Sequence, residues 1–340
     1  MRRALSCFAA VVLVGACSDT EPDSTADPSG SSGETTDAPE ATDTVDLAAL
    51  TGQIVFQRAT SSEDEALIHT MNPDGSHVEE LFPELAQTAR WSPDGTEISL
   101  FCCDDGMAGH IVDVATGELR TLPPPDPTLE TYCGGPWSPD GTRLTCESFG
   151  VDDPSLNGIY TINAADGGDL RRITSAPDMN DRPGDYSPDG SRLVFQRNDM
   201  EGPIGIFVTN VDGTGLLQLT PPGMVLDEAG HSGRWSPTGD QILFVAHTAE
   251  GEHKAIWIVS ADGGEPQQLP ISPTCGGPFE PGTFGCYSPS WSPDGEHIVF
   301  VRSESDGTGE SIYVVNADGS GLVQLTDGED DQPHWGPSVP

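Results

Sequence analysis

Apolar residues in this chain come in short runs separated by glycine- and proline-rich breaks, and the same order of runs keeps returning. One set is Ile98 to Phe101, Leu144 to Cys146, Leu193 to Phe195, Ile242 to Val245 and Ile298 to Val301, each shortly after a prominent aromatic. A second set follows as Ile159 to Asn163, Ile206 to Asn210, Ile256 to Val259 and Ile312 to Asn316. Short β-branched and aromatic runs bounded by turn residues predict strands. The 3.6-residue periodicity that a bundle or solenoid of helices requires is absent from the sequence.

The breaks repeat as well. Trp91-Ser92-Pro93-Asp94-Gly95 recurs as Trp137 to Gly141, Tyr186 to Gly190, Trp235-Ser236-Pro237-Thr238-Gly239 and Trp291 to Gly295, with a degenerate copy at His334-Trp335-Gly336-Pro337-Ser338. The aromatics lie 46, 49, 49, 56 and 44 residues apart. In Ser-Pro-Asp-Gly, proline presets φ at the first central turn position and glycine takes the positive-φ position that follows, so the motif is a hairpin. Asp-Gly at Asp166-Gly167, Asp212-Gly213, Asp262-Gly263 and Asp318-Gly319 supplies a second hairpin in each unit. Four short antiparallel strands in about 49 residues, repeated six times, predict an all-β six-bladed β-propeller of four-stranded blades. The tryptophans are expected to pack between neighbouring blades. Residues 52–58 match the strand at Leu193 to Arg197 but lack a preceding Trp-Ser-Pro, and the missing piece sits around Trp335. The ring should therefore close through a C-terminal innermost strand joining three N-terminal strands, which removes the exposed sheet edges.

The W-S-P-D-G unit, followed by I-V-F-x-R and by I-Y-x-x-N-x-D-G with a terminal Leu-Thr as at Leu219-Thr220 and Leu325-Thr326, resembles the TolB-type β-propeller repeat. The resemblance covers about residues 51–338. It implies a propeller of the bacterial envelope that works by binding other proteins, the family's namesake being the periplasmic partner of a peptidoglycan-associated lipoprotein. This chain departs from that namesake in having no separate N-terminal α/β domain and in carrying what reads as its own lipid anchor.

That anchor is read from the N-terminus. Met1-Arg2-Arg3 precedes an apolar stretch from Ala4 to Val14, too short to span a bilayer, and residues 1–16 read as a secretory signal. Val14-Gly15-Ala16-Cys17 resembles a bacterial lipobox, which implies a lipid such as palmitate on Cys17; an ordinary signal with a chance cysteine is the alternative. Residues 17–50 read as an acidic tether, since positions 18–46 hold nine acids and no base and offer nothing to bury. The folded domain is then 51–340. Over the whole chain 55 Asp and Glu oppose 14 Lys and Arg, a formal charge of −41, and Lys254 is the one lysine. Such a charge repels nucleic acid and anionic head groups, so membrane contact is expected through the lipid on Cys17 only. Salt adaptation or a GC-rich genome would produce the same excess of acid, in which case it concerns solubility.

Six cysteines fall in the predicted propeller, an even number that suits disulfides in an exported domain. Cys275 and Cys286 flank an insertion and are expected to pair. Cys133 and Cys146 straddle a Ser-Pro-Asp-Gly hairpin and form a second candidate pair. Cys102 and Cys103 then either bridge as neighbours or pair with the next blade. The context does not suit zinc. No H-E-x-x-H, Walker loop or G-x-S-x-G occurs, and the Asp-Gly turns lack the alternating oxygen ligands of a calcium loop, so no metal, cofactor or catalytic residue is assigned.

The links between blades lie just before each aromatic and should gather around one mouth of the channel. They are polar and differ from one another: Asn180, Asp181 and Arg182; Asp227 and Glu228 with His231 and Arg234; Asp330 and Asp331 with His334. Variable loops on a repeated scaffold are where a binding site can live, and a solvated acidic rim is the plain alternative. Several carboxylates there would also suit a cation. The chain is thus expected to be a lipid-anchored, extracytoplasmic, non-enzymatic binding module, monomeric, whose partner is an envelope protein or peptide. The alternatives are a glycan lyase or hydrolase, because fold does not dictate function, and a ligand sensor. Similar repeats precede the catalytic domain of certain serine peptidases, but this chain stops with the propeller, which speaks against peptidase activity.

Overall fold

The computed structural model describes residues 44–60, 66–102, 108–199, 202–227, 233–247, 253–273, 275–276, 284–304 and 309–338. The signal, the lipobox with Cys17 and most of the tether lie outside the described residues, as do Cys103, Glu228 and His231.

The described strands form six four-stranded antiparallel sheets, the blades of a propeller. Blade 2 is Ala86–Trp91, Glu97–Cys102, Gly109–Asp113 and Leu119–Leu122, from the channel outward. Blade 3 is Leu129–Tyr132, Arg143–Gly150, Gly158–Asn163 and Arg171–Arg172; blade 4 is Asn180–Tyr186, Arg192–Asn198, Pro203–Asn210 and Leu217–Gln218. Blade 5 is Arg234–Trp235, Gln241–His247, Lys254–Ser260 and Gln267–Gln268, and blade 6 is Phe284–Trp291, His297–Glu304, Ser311–Asn316 and Val323–Gln324. Blade 1 takes its innermost strand, Asp330–Gly336, from the far end of the chain and pairs it with Gln53–Ala59, followed by Ala66–Met71 and Glu79–Phe82. Ile54 stands opposite Trp335 and Arg58 opposite Asp330, which is the closure expected from the split repeat.

Each hairpin after an aromatic is built as its residue types dictate. In the first copy the Ser92 hydroxyl donates to Asp94 at 2.7 Å and accepts from the Glu97 amide at 2.9 Å, while Gly95 sits at φ 74°. Ser138 with Asp140 and Ser187 with Asp189 repeat the bond at 2.6 Å. The Ser187 hydroxyl, with the Ser191 amide and hydroxyl, pushes Asp189 down to about 2. Many of the acids in this sequence are therefore turn-forming groups held in their charged form.

The aromatic ahead of each turn lies against the preceding blade. Trp91 joins Val55 and Ile68 of blade 1, Trp137 joins Ile111 and Leu122 of blade 2, and Tyr186 joins Ile159 of blade 3. Trp235, Trp291 and Trp335 continue the series onto Val194, Leu243 and Val299. All six are buried. Val45, in the stretch that the sequence assigns to the tether, is also buried, and with Leu47 and Leu50 it packs on the seam between blades 6 and 1.

Cys133 is bonded to Cys146 and Cys275 to Cys286, as their positions beside a hairpin and an insertion lead one to expect. Cys102 is also disulfide-bonded, while Cys103 lies outside the described residues. Disulfides of this kind belong to proteins exported from a reducing cytosol. No helix among the described residues is long and apolar enough to cross a membrane.

A chain ending at Glu329 leaves Gln53–Ala59 as an unpaired edge, and it is expected to lose its single cooperative urea transition and to aggregate. Gly336→Ala is a finer probe. A Cβ there would sit 2.2 Å from Trp91 Cγ, so urea unfolding should show a loss of about 2 kcal/mol from overpacking.

Candidate functional site

In each blade the chain runs from the link with the previous blade, along the innermost position, to its aromatic. In blades 3 and 5 part of that path is held by isolated bridges, Trp137 to Leu144 and Leu226 to Ala246, and the channel has a link end and an aromatic end. The residues expected to form one mouth divide between the two. Asn180, Asp181, Arg182, Asp227, Asp330 and Asp331 lie at the link end, whereas Arg234 and His334 stand immediately before their aromatics at the other.

At the link end three of these acids are engaged within the scaffold. Asp181 stands opposite Arg197 across the strand pair and accepts from it through both oxygens, at 2.6 and 2.7 Å. Asp330 binds Arg58 in the same way at 2.7 and 2.9 Å. Both carboxylates have no exposed side-chain surface. These arginines are the last letter of the I-V-F-x-R run, and each lies over the phenylalanine of that run, with Arg58 5.3 Å from the Phe56 ring centre and Arg197 5.4 Å from that of Phe195. Blade 5 replaces the arginine with Lys254, which meets the buried Asp227 at 2.8 Å.

Two polar groupings surround those pairs. Glu147 of blade 3 lies beside Asn180, Arg182 and Asp181, and burial raises its carboxyl above the usual range against the opposing pull of Arg182. On the far side Lys254 lies 5.2 Å from the Tyr287 ring centre. The Tyr287 hydroxyl donates to Glu310, and Ser288 donates to Asp331 at 2.9 Å. Burial raises Glu310, and burial together with Glu310 raises Tyr287. Glu147, Lys254, Tyr287 and Glu310 were not singled out by sequence. They lie outside the links, Glu147, Lys254 and Tyr287 on strands whose pattern reads as scaffold and Glu310 just before the strand that begins at Ser311.

Exposed apolar residues also gather at this end. Leu85, Met179 and Val225 sit in links between blades, Val151 follows the second strand of blade 3, and Phe101 is the penultimate residue of the second strand of blade 2. Val151 and Val225 are 61% and 63% exposed. Phe101 meets Tyr132 with ring centres 5.6 Å apart, and Tyr132 meets Phe149 at 6.4 Å.

The aromatic end opens into a cavity of about 460 Å³. The residue before each aromatic lines it: Arg90, Pro136, Asp185, Arg234, Ser290 and His334, with the Ser-Pro pairs of the turns outside them. Three of the six accept a hydrogen bond from the next blade's aromatic amide. Asp185 accepts from Trp235 at 3.3 Å, Ser290 from Trp335 at 3.0 Å and His334 Nδ1 from Trp91 at 3.1 Å. Burial, with the nearby charge of Arg90, keeps His334 well below its ordinary value and therefore neutral, as that acceptor role requires. Burial likewise pushes Asp185 up to about 7 and Arg90 down to about 10. Sequence reasoning named Arg234 and His334 and missed Arg90 and Asp185. Aligning the repeats at the position before the aromatic would have found all four. Among the described residues no group of three or more His, Cys, Asp or Glu is arranged to hold a metal.

Residues 44–339 match the family described as the TolB beta propeller domain. The chain is 33% identical over 226 residues to the uncharacterized protein Atu1656 of Agrobacterium fabrum, which spans 62% of this chain and 68% of that protein. It is 26% identical over 196 residues to the Tol-Pal system protein TolB of Francisella tularensis, covering 57% of this chain and 40% of TolB. Among solved structures it superposes on TolB from Acinetobacter baumannii with a TM-score of 0.60 at 20% identity, over 84% of this chain and 67% of that one. An oligogalacturonate lyase in complex with manganese shares the fold with a TM-score of 0.55 at 16% identity, over 81% and 74% of the two chains.

Asp181→Asn strands Arg197 without its buried counter-charge and should cost about 3 kcal/mol in urea unfolding, whereas Asp331→Asn should cost less than about 1 kcal/mol. Asp185 gives a pH-dependent result. The folded protein holds its proton up to about pH 7, and the unfolded chain releases it near pH 4. The penalty for ionised Asp185 therefore grows between those values and is full above them. Asp185→Asn is expected to raise stability by about 2 kcal/mol at pH 8 and to leave it nearly unchanged at pH 3.5.

Proposed function

We propose that this chain, which belongs to the TolB β-propeller family, is an extracytoplasmic, non-enzymatic protein-binding module of the bacterial cell envelope, held to the membrane by lipid on Cys17. The observation that carries the reading is the link end of the channel. There the exposed Leu85, Phe101, Val151, Met179 and Val225 surround a mouth whose buried carboxylates are matched by Arg58, Arg197 and Lys254. Apolar side chains rimmed by polar groups suit a protein partner. Asp181, Asp227 and Asp330 are matched by bases and serve stability and shape, whereas Glu147 and Glu310 keep carboxyls raised by burial, so it is the apolar group that favours a protein partner over a glycan substrate. The fold alone is compatible with lyase chemistry, as its neighbours illustrate. The disulfides and the lipobox-like Val14 to Cys17 support an exported, tethered protein.

The partner is an envelope protein or peptide. Asn180, Arg182 and Asp331 are the polar residues proposed to meet it, beside the apolar group; Glu228 and His231 lie outside the described residues. Capture from native envelope extract by the immobilised full chain is expected to retain a stoichiometric protein. Phe101→Glu combined with Val151→Asp should abolish that retention, whereas Leu216→Asp and Leu217→Asp at the opposite end should leave it intact. Retention of glycans or small molecules with no protein would overturn the binding-module reading.

A further inference from the structure

The cavity at the aromatic end has a charge arrangement that nothing in the link-end reading uses. The chain has 55 acids for 14 bases, so a carboxylate is an easy partner for any arginine to find. Arg58, Arg120, Arg143, Arg171, Arg192 and Arg197 each hold one. Among the described residues Arg90 and Arg234 form no ion pair. Arg172 forms none either, but its guanidinium is taken up by the carbonyls of Thr174, Ser155 and Asn157 and the Ser175 hydroxyl, whereas Arg90 feels the charge of Asp185 only at a distance. Among the described residues the Arg90 guanidinium makes one hydrogen bond, from Nη1 to the Ala89 carbonyl at 3.4 Å. Arg234 donates through Nη1 alone, to the carbonyls of Gly184 at 2.8 Å and Gly233 at 3.0 Å.

Position in the ring sharpens the contrast. Arg90 belongs to blade 2 and Arg234 to blade 5, and in a six-bladed ring those blades stand diametrically opposite. Both arginines thus line, from opposite sides of the ring, an open-mouthed cavity of about 460 Å³. The remaining polar members of the ring, Asp185, Ser290 and His334, are each tied to a neighbouring aromatic amide. Trp91, Trp137, Trp235, Trp291 and Trp335 and the prolines of the turns supply the walls. A guanidinium presents a planar fork that matches a carboxylate through two parallel hydrogen bonds, and the match strengthens where water is thinned out by apolar walls.

We infer that this cavity binds an organic carboxylate, clamped between Arg90 and Arg234 with its carbon skeleton against the tryptophans and prolines. The site is at the opposite end of the channel from the proposed docking surface and does not depend on it. The carboxylate can come from a free acid or from the C-terminus of a peptide, which offer the same chemistry to the clamp.

Calorimetric titration of the full chain separates the sources, with succinate as the free acid and one tripeptide in free and C-terminally amidated forms. Binding of succinate identifies a free-acid site, and preference for the free over the amidated tripeptide identifies a chain-end site. Either is the expected result. Arg90→Gln and Arg234→Gln should each weaken that binding roughly ten- to hundredfold, while Arg171→Gln on the outer strand of blade 3 should leave it unchanged. Arg90→Lys guards against mere unfolding: it keeps the charge and should keep the melting temperature, yet lose most of the affinity with the fork. The inference is overturned by no binding of any carboxylate probe, by tighter binding of inorganic phosphate than of any of them, or by unchanged affinity in a folded Arg90→Gln, Arg234→Gln double variant.

Discussion

The contact on which this molecule rests is that of an aromatic ring, at the end of each blade's innermost stretch of chain, with the face of the blade before it. A four-stranded sheet of this size has two faces to cover, and no blade can cover its own. Trp91, Trp137, Tyr186, Trp235, Trp291 and Trp335 each seal one interface, and losing a ring of that size from a core typically costs about 3–5 kcal/mol. Because six interfaces are needed to return to the start, the interface at Trp335 has to be made by a strand from the far end of the chain. The glycine that follows Trp335 has no side chain because Trp91 already occupies its space.

That constraint explains why the fold was legible in the sequence. The aromatic, the serine that bonds the turn aspartate and the positive-φ glycine act within a few residues of one another, so their chemistry repeats as a string of letters. Asp181 and Arg197 are only 16 residues apart, but Asp330 and Arg58 are 272 apart, and no local pattern reports that either pair will meet. The acids of the links looked like a rim of free charge for that reason. Strand register turns three of them into buried partners of basic residues and leaves the apolar group at Leu85, Phe101, Val151, Met179 and Val225 as the more distinctive feature of that mouth.

The aromatic end was less legible for the opposite reason. The position before each aromatic is occupied by Arg, Pro, Asp, Arg, Ser and His in turn. That variety hides it from a search for shared letters, although its place in the repeat is as regular as that of the tryptophan. Acceptors at this position, Asp185, Ser290 and His334, stitch one blade to the next. The arginine side chains cannot accept, so among the six residues that line the cavity they are free of that stitching role. The negative charge of the chain has a comparable division of roles. Asp94, Asp140 and Asp189 belong to the turns and Asp181, Asp227 and Asp330 to ion pairs, so the acid content is in good part architectural.

Closure by the strand at Asp330–Gly336 also sets an order of events in time. A polypeptide passes out of the cytosol from its N-terminus onward, so Gln53–Ala59 emerges early and must wait for a partner that arrives almost last. Until then blade 1 lacks its inner strand, the Trp335 interface is open, and Arg58 has no carboxylate opposite it. Contacts of such long sequence separation form slowly and leave apolar edges exposed meanwhile. A nearly finished ring is therefore the species with the most apolar edge still exposed. Residue changes in the closing strand should act on the yield of folded protein well before they act on what the finished ring binds.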